Sequence, residues 1–459
     1  MLKTLRLSLS VRKSCPRYVQ SNVSRTLLTL AIESSCDDTS VAILEKESKN
    51  EATTARLHFH QKITSNNLAY KGVHPIVALE SHEQNLALLV QEALKSLPRV
   101  KDDVKNYPNA GIQLDNTLRQ KPDFVTVTRG PGMRSNLSTG LNTAKGLAVA
   151  WQIPLLAVNH MQAHALTPRL VTASQNDSQS DKAVSTLKPE FPFLSLLVSG
   201  GHTMLIRSES LISHPTIAST VDIAIGDCID KIARNVLSQD VLAGAKSAMY
   251  GPVLEKFAFP SGTSDYNYTA PASRAEEIAS RPSSWGWSIT SPFVETKALK
   301  YSFVGVESTV RRIVESKTED MTIDERKDLA RSALRVAFEH LASRVVLALN
   351  EMTKPDPKSA RAIQTLVVSG GVAANQYLRC VLRGYLDARG YDYIGLVFPP
   401  LELCTDNAAM VAWAGMEMYE AGYMSDLSCQ ALRKWSLDPN AADGGILGVP
   451  GWKSTQHSS

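Results

Sequence analysis

The same short pattern, an apolar strand that runs into a Ser-Gly-Gly turn, occurs twice in this chain of 459 residues. The two copies, residues 196–201 and 366–371, lie 170 positions apart. Paired glycines form turns that leave backbone N–H groups uncovered, so a phosphate can approach them closely. The repetition predicts two lobes of related design with a nucleotide held between them; the alternative is a pair of unrelated tight turns.

Other strands and helices alternate along the chain. Apolar runs predict strands at 26–32, 41–44, 124–128, 153–158, 193–198, 203–206 and 366–368, and helical periodicity covers 75–97, 138–150 and 323–352. The segments 101–121, 171–190 and 260–290 are polar or rich in Ser, Pro and Tyr, and they are predicted to be excursions from this framework. Such alternation indicates an α/β fold in which helices cover the sheets. The apolar share of 43% supplies a core for two or three domains or for one large two-lobed enzyme.

Two histidines four residues apart, His160 and His164, form the clearest candidate metal site. That spacing places both imidazoles on one face of a helix, and they directly follow the strand predicted at 153–158. Ligand sites in open α/β sheets collect at such strand ends, and two imidazoles can hold one metal ion. The alternative is two surface histidines at this spacing by chance. Met161 occupies the position where a His-Glu-x-x-His metalloprotease keeps its general base, which disfavours peptide hydrolysis.

Acidic and hydroxyl-bearing residues form three further clusters. The loop at 33–40 is rich in both kinds of side chain. Asp227 and Lys231 have i,i+4 spacing, so their segment is either a solvated helix face with an ion pair or a set of acceptors for ribose hydroxyls or an amine. Near the other end, Thr405 or Asp406 is predicted either to cap a helix or, through Asp406, to add a carboxylate to the histidine pair.

The amino terminus has the composition of a mitochondrial transit peptide. Residues 1–32 carry six Lys and Arg and no acidic residue, with Leu and Ser interspersed. The alternative is a basic tail. Six of the 49 basic residues lie there, which leaves 43 against 45 acidic residues. The pI therefore does not predict binding to nucleic acid. A polyanionic partner would need a local patch, for which the candidates are Arg311, Arg312 and Lys317, or Arg379, Arg383 and Arg389.

The cysteines and the apolar runs exclude two other classes of protein. Six cysteines without a Cys-x-x-Cys pair argue against a disulfide framework and against a cysteine-rich zinc site, and they suit a reducing compartment. The longest apolar run, at 147–158, is interrupted by Gln152 and Pro154 and is too short to span a bilayer. We therefore expect no membrane span.

Eight motifs occur in a fixed order along the chain. They are Ile-Glu-Ser-Ser-Cys-Asp-Asp-Thr-Ser at 32–40, Gly-Pro-Gly-Met-Arg-Ser-Asn-Leu at 130–137, Thr-Ala-Lys-Gly-Leu-Ala at 143–148, Asn-His-Met-Gln-Ala-His-Ala at 159–165, Leu-Val-Ser-Gly-Gly-His-Thr at 197–203, Gly-Asp-Cys-Ile-Asp-Lys at 226–231, Ser-Gly-Gly-Val-Ala-Ala-Asn at 369–375 and Cys-Thr-Asp-Asn-Ala-Ala-Met at 404–410. Together they resemble the tRNA N6-adenosine threonylcarbamoyltransferase family, once called glycoproteases or O-sialoglycoprotein endopeptidases, and specifically its mitochondrial branch.

The resemblance implies a fold and a domain plan. The expected fold is α/β of the actin and sugar-kinase type (ASKHA), with two duplicated lobes and the active site in the cleft. Residues 1–26 are then a mitochondrial presequence. Lobe I comprises 27–160 and about 405–450, and lobe II comprises 161–404 with an insertion near 260–290.

The resemblance also implies an activity and its partners. Proteins of this family transfer threonylcarbamoyl from threonylcarbamoyl-AMP, which a separate synthase makes, to N6 of adenosine 37 in tRNAs that read codons beginning with A. We expect transfer to mitochondrial tRNAs in the matrix, with one divalent iron or zinc ion per subunit in a homodimer. The competing classes are a metal-dependent peptidase, an ASKHA-type ATPase, which would not need the histidine pair, and a non-catalytic tRNA-binding relative.

Carried over motif by motif, the resemblance assigns three groups of site residues. The metal ligands are His160, His164 and Asp406. The expected substrate-binding residues are Val198, Ser199, Gly200, Gly201, His202, Asp230, Gly251 and Asn375. Asp37 and Asp38 occupy the positions where the family has acidic residues near the reacting centre, and Asp37 is expected to orient or deprotonate the attacking amine.

Overall fold

The computed structural model describes residues 25–49, 52–70, 72–100, 111–178, 186–245, 249–317, 321–353 and 363–454. The predicted presequence at 1–26 lies outside the described residues except for Arg25 and Thr26, which open the first strand. Within the described ranges, no helix combines the length and the apolar character that a membrane crossing requires.

The strands in chain order are β1 (Arg25–Glu33), β2 (Asp38–Lys49), β3 (Ala52–Thr64), β4 (Gly111–Leu114), β5 (Thr117–Gln120), β6 (Phe124–Gly130), β7 (Leu155–Asn159), β8 (Phe193–Val198), β9 (Thr203–Ser208), β10 (Thr216–Ser219), β11 (Thr365–Ser369), β12 (Gly395–Val397), β13 (Tyr423–Ser425) and β14 (Trp452–Ser454). The helices are α1 (Pro75–Lys95), α2 (Arg134–Trp151), α3 (His160–Ser178), α4 (Ile225–Val236), α5 (Gln239–Ala243), α6 (Gly251–Ala258), α7 (Arg274–Ile278), α8 (Val304–Ser316), α9 (Ile323–Thr353), α10 (Gln376–Ala388), α11 (Leu401–Cys404), α12 (Ala408–Glu420) and α13 (Gly445–Gly448).

Two sheets with the same internal topology organise these elements. The first has the order β14-β13-β7-β6-β1-β2-β3, and the second has the order β10-β9-β8-β11-β12. In each, an antiparallel meander of three strands is followed by two strands that run parallel to its first strand. The chain therefore has the duplicated α/β fold of the ASKHA type that the resemblance implied.

The repeated Ser-Gly-Gly turns do not mark the two halves of this duplication. They follow β8 and β11, which are adjacent parallel strands of the second sheet. The expectation that the repeated Ser-Gly-Gly turns belong to two different lobes is therefore wrong. Parallel strands of one sheet end at the same edge, and here both strands are followed there by a tight turn. At Gly370, φ is +97° and a Cβ atom would overlap the carbonyl oxygen of Val198, so only glycine fits there.

Helices cover both faces of the first sheet and bring the two sheets together. Apolar side chains of α1 and α2 pack on one face of the first sheet, and those of α3 and α12 pack on the other. Helices α4, α6, α8, α9 and α10 enclose the second sheet. Helix α3 contacts strands of both sheets, and its cluster includes Leu197 from β8. The histidine pair is thus carried by the helix that lies between the two halves.

The three predicted excursions differ from one another. Residues 101–110 lie outside the described part of the chain, and 111–120 form the hairpin of β4 and β5. Residues 171–178 continue α3, because Leu170 and Ala173 are buried against the core, while 179–185 are not described. The hairpin lies outside both main sheets, so the prediction of an excursion at 101–121 holds for its described part. The prediction for 171–190 was wrong for residues 171–178, which are helical.

The segment 260–290 is mostly irregular, as predicted, but it is tied to α9. The indole N–H groups of Trp285 and Trp287 donate to Asp328 and Glu325, each at 3.0 Å. Just beyond it, the buried guanidinium of Arg344 donates to four backbone carbonyl oxygens between positions 292 and 298. The insertion is therefore fixed by side chains of α9 rather than by its own regular structure.

Candidate metal centre and substrate cleft

The first turn of α3 positions the two histidines. The side-chain oxygen of Asn159 accepts hydrogen bonds from the backbone N–H groups of Met161 and Gln162 at 2.9 and 3.2 Å, which starts the helix where β7 ends. His160 and His164 then lie one turn apart, with ring centroids separated by 4.7 Å and planes at 90°. Both imidazoles are buried.

Asp406 completes the cluster from the other end of the sequence. The cap of α12 is Asn407, whose side chain accepts the N–H of Met410 at 2.9 Å, so the prediction that Thr405 or Asp406 caps this helix is wrong. Because Asp406 does not cap the helix, its carboxylate can face the histidines. Its Oδ1 lies 3.1 Å from Nε2 of His164 and 3.4 Å from Nε2 of His160.

The donor set and its spacing fit a divalent transition metal. The three ligand atoms lie within 4.8 Å of one another. Tetrahedral coordination with bonds of about 2.0–2.1 Å separates neighbouring ligand atoms by about 3.4 Å, close to both histidine–aspartate distances. Two imidazoles and one carboxylate suit zinc as well as non-haem iron(II), and both leave coordination positions open.

The charges of the cluster are strongly coupled. Burial alone would lower the pKa of His160, but Asp406 and Glu33 outweigh burial and raise this pKa to about 10. Burial favours neutral Asp406, yet the attraction of His160 holds the pKa of Asp406 well below its ordinary value. Burial also lowers the pKa of His164. A cation bound at Nε2 of His160 would replace the proton that this imidazole otherwise carries.

The connection between β1 and β2 places Asp37 and Asp38 beside this cluster. Strand β2 begins at Asp38, earlier than predicted, so the loop shrinks to residues 34–37. Two side chains fix the conformation of this loop. Nε2 of His82 and Nδ2 of Asn136 donate to the carbonyl oxygen of Cys36, at 3.0 and 2.7 Å. His82 and Asn136 were not singled out from the sequence, since one lies within a helical pattern and the other within a longer motif.

The two carboxylates have different surroundings. Asp38 pairs with Lys62 at 3.0 Å and accepts the hydroxyl of Thr64. Burial raises the pKa of Asp38 to about 6, although Lys62 opposes the shift. Asp37 accepts the amide of Asn67 at 3.3 Å, and burial together with the charge of Asp406 raises its pKa. Asp38 is therefore paired with a cation and Asp37 with a neutral amide, while the charge of Asp406 raises the pKa of both carboxyl groups.

The turn after β8 lies on the other side of the histidines. Val198 and Ser199 line a small cavity together with His160, His164 and Gly370. The Ser199 hydroxyl accepts N–H bonds from the next turn residues, Gly201 at 3.3 Å and His202 at 3.0 Å.

Open space surrounds the glycines of this turn. Gly200 and Gly201 are exposed, and a Cβ atom at either position would meet nothing within 4 Å. Burial and nearby His160 lower the pKa of His202 to about 4, which keeps this imidazole neutral. The turn therefore offers uncharged donors with room for a substrate.

The remaining predicted substrate residues hold the ends of helices. Asp230 accepts N–H bonds from Tyr250 at 2.7 Å and Gly251 at 3.1 Å, which joins α4 to the start of α6. Asn375 caps α10 by accepting the N–H of Leu378 at 2.9 Å. Direct contact of Asp230, Gly251 or Asn375 with a substrate stays a prediction.

The other polar clusters mostly serve the protein itself. Asp227 and Lys231 form the i,i+4 ion pair on α4, at 2.8 Å. In one predicted basic patch, Arg389 pairs with Glu277 at 3.3 Å and Arg383 pairs with Asp387 at 2.6 Å. In the other, Arg311 lies 3.4 Å from Glu307 and Lys317 lies 2.8 Å from Glu325. Both patches are thus partly neutralised by acidic neighbours.

Comparison with known proteins agrees with the motifs. A family model described as tRNA N6-adenosine threonylcarbamoyltransferase matches residues 58–413. The chain is 34% identical to the mitochondrial tRNA N6-adenosine threonylcarbamoyltransferase of Schizosaccharomyces pombe, over 98% of this chain and 96% of that one. It is 32% identical to the tRNA N6-adenosine threonylcarbamoyltransferase of Paramagnetospirillum magneticum, over 91% and 99%. Among solved structures, HypF of T. kodakarensis has a TM-score of 0.44 at 14% identity, covering 86% of this chain and 48% of that one.

The matched region begins within β3 and ends within α12, so it includes both histidines, the glycine turns of the second sheet and Asp406. The similarity therefore covers the duplicated fold as well as the cluster at its centre, and relatives align with almost the whole sequence. The resemblance inferred from the eight motifs is confirmed, and the chain belongs to the tRNA N6-adenosine threonylcarbamoyltransferase family.

Proposed function

We propose that this chain transfers the threonylcarbamoyl group of threonylcarbamoyl-AMP to N6 of adenosine 37 in mitochondrial tRNAs that read codons beginning with A, and releases AMP. The observation that carries the proposal is the convergence of His160, His164 and Asp406 between the acidic loop after β1 and the uncharged turn after β8. The activity named for the relatives is the basis for proposing this reaction, and the residues of the cluster are chemically suited to it.

The proposed reaction needs three kinds of help, because an exocyclic amine is a poor nucleophile. When bound, a divalent ion at His160, His164 and Asp406 would supply Lewis acidity toward oxygens of the donor. Asp37 orients the attacking N6 amine and accepts its proton, which its raised pKa favours. The N–H group of Gly200, on the exposed turn after β8, binds the phosphate of the departing AMP.

Asp38 and the rest of the cleft have supporting roles in this proposal. Asp38 and Lys62 fix the start of β2, and the ammonium of Lys62 also donates to Thr405 at 2.7 Å, next to Asp406. Asp230, Gly251 and Asn375 shape the far side of the substrate site. The ion pair at Lys62 thus connects the acidic loop to the segment that supplies the third metal ligand.

The two alternative activities fit the site less well. A peptidase of the His-Glu-x-x-His type needs a carboxylate at position 161, where Met161 is buried in the apolar core. An ASKHA-type ATPase has no need for two buried histidines that face an aspartate. The transferase proposal uses every member of the cluster.

We further propose the cellular setting and the domain plan. The relative from S. pombe is mitochondrial by name, which together with the basic amino terminus supports a presequence at 1–26 and work in the matrix. A separate synthase supplies the donor, and the chain acts as a homodimer. The positions of the two sheets support lobe I at 27–160 and about 405–450, and lobe II at 161–404 with the insertion near 260–290.

Nucleoside mass spectrometry tests the proposed activity. Unmodified tRNA is incubated with purified threonylcarbamoyl-AMP and residues 27–459 of the protein, either as the wild type or as the His164→Ala variant. The proposal predicts threonylcarbamoyladenosine with the wild type and none above background with His164→Ala. His58→Ala is the matched control, since His58 pairs with Glu45 away from the cluster and its loss should leave the product unchanged. Absence of product from folded, metal-loaded wild type would contradict the proposal.

A further inference from the structure

Glu33 is a buried carboxylate that contacts the cluster without facing its centre. It is the last residue of β1, and none of its side chain is exposed. Its Oε1 accepts the backbone N–H of Ser35 at 2.7 Å. Its Oε2 accepts the hydroxyl of Thr128 on β6 and lies 3.4 Å from Nδ1 of His160. Three elements therefore hold this carboxylate in one orientation.

The two nitrogens of His160 have different partners. Nε2 faces Asp406 at 3.4 Å, whereas Nδ1 faces Glu33. An ionised carboxylate can only accept hydrogen bonds, so this arrangement requires the proton of a neutral His160 to reside on Nδ1. The lone pair of Nε2 is then directed toward Asp406, which is the tautomer that a metal ligand needs at this position.

His164 lacks an equivalent partner. Its Nε2 also faces Asp406, but its buried Nδ1 makes no hydrogen bond with any described residue. The two ligands thus differ in how they are oriented. His160 is fixed from behind by a charged group, whereas His164 is positioned by the helix and by packing.

We propose that Glu33 is the positioning residue for His160: its carboxylate fixes the tautomer and the ring orientation, and thereby sets the affinity of the cluster for a divalent cation. The inference rests on the proposed metal site and not on the acyl acceptor. Glu33, at the end of β1, would then act on the metal site, while Asp37 in the loop that follows acts on the substrate.

Ser35 is the competing partner for the same nitrogen. Its hydroxyl lies 3.3 Å from Nδ1 of His160, slightly closer than the carboxylate. A hydroxyl can donate as well as accept, so it does not select one tautomer. Glu33 carries a charge and is held by two further hydrogen bonds, which makes it the group that can enforce the Nδ1–H form.

Metal affinity of the purified chain tests this inference without tRNA or donor. Dissociation constants for Zn²⁺ and Co²⁺ are measured by competition with a chromophoric chelator. We expect Glu33→Gln to weaken binding about 10- to 100-fold, as loss of such a supporting hydrogen bond typically does. The matched variants are Thr128→Val, which removes the other bond to the same oxygen, and Ser35→Ala, which removes the competing hydroxyl; both should change affinity much less.

Nitrogen NMR of the imidazoles in the Zn²⁺-loaded wild type provides a second readout that does not depend on any variant folding. The inference predicts that His160 binds through Nε2 and carries a strongly hydrogen-bonded proton on Nδ1, and that this proton signal shifts in Glu33→Gln. A metal-bound Nδ1 would overturn it. So would unchanged affinity in folded Glu33→Gln, or a loss in Ser35→Ala or Thr128→Val as large as that in Glu33→Gln. Failure of transfer with intact metal binding would refute the proposed function alone.

Discussion

The two strand ends that correspond in the duplicated fold, after β1 and after β8, have become chemically opposite. The loop after β1 is short, buried and acidic, with Glu33 and Asp37 in it or at its start. The turn after β8 is Ser-Gly-Gly-His, uncharged, with both glycines exposed. The same topology thus supplies carboxylates at the strand end after β1 and an exposed, uncharged turn at the strand end after β8. This division suits an acyl transfer in which a base and a leaving phosphate must be kept apart.

Asp406→Ala should have the largest effect, because it removes a ligand and the carboxylate that faces both histidines. We expect metal content per chain to fall toward zero and kcat/KM to fall about 1,000-fold or more, the several kcal/mol that a Lewis acid typically contributes. Elemental analysis and a tRNA transfer assay measure the two effects. Asp426→Ala is the matched control, since Asp426 pairs with Lys453 away from the cleft. Full metal content in Asp406→Ala would remove it from the ligand set.

Asp37→Asn tests whether the acidic loop acts on the substrate. We expect kcat to fall about 100- to 1,000-fold, within the range for loss of a general base, with little change in donor affinity. Single-turnover rates and equilibrium binding of threonylcarbamoyl-AMP separate the two quantities. Equal losses in rate and in donor affinity would show that Asp37 serves in binding instead.

Gly370→Ala tests the backbone side of the comparison. Its positive φ and the contact of a new Cβ with the Val198 carbonyl should cost about 2–3 kcal/mol of unfolding free energy. Chemical denaturation measures this loss. At Gly200, where the space is open, alanine should leave stability almost unchanged and raise KM for the donor. Equal stability losses at the two positions would contradict the distinction between a packed and an open turn.

The pH dependence of stability tests the buried Asp230 of the second half. Burial raises the pKa of Asp230 from 3.8 to about 6, so the folded protein holds this proton more tightly than the unfolded chain does. That contribution to stability is complete below about pH 4 and lost by about pH 6. Asp230→Asn, which keeps an acceptor for Tyr250 and Gly251, should flatten this decline and gain at most about 3 kcal/mol at pH 7. Parallel pH profiles for the two proteins would contradict the expectation.

The framework of the fold was readable from the sequence because apolar periodicity reports which face of each element is buried. The histidine pair was readable for the same reason, since i,i+4 spacing fixes two side chains on one helix face. The proximity of Asp406 was only one of two options, because 242 positions separate it from His164. In the structure Asn407 caps α12, so Asp406 is left to face the histidine pair.

Other features could not be predicted from local pattern. Whether the two Ser-Gly-Gly turns belong to one lobe or to two depends on the order of the strands, which local sequence does not give. In the structure β8 and β11, which precede these turns, are neighbours in one sheet. Glu33, His82 and Asn136 act through contacts with residues far away in sequence. The acid-rich loop at 33–40, the helical pattern at 75–97 and the motif at 130–137 contain these residues but do not indicate their partners. Their importance follows from the tertiary fold alone.

Anomalous X-ray scattering from crystals grown with Zn²⁺ tests most directly the claim that the charges of the first half converge on one cation. The account predicts a single strong peak about 2.0–2.2 Å from Nε2 of His160, Nε2 of His164 and a carboxylate oxygen of Asp406. A peak elsewhere, or one bound through Nδ1 of His160, would contradict the assignment of the cluster and the proposed role of Glu33.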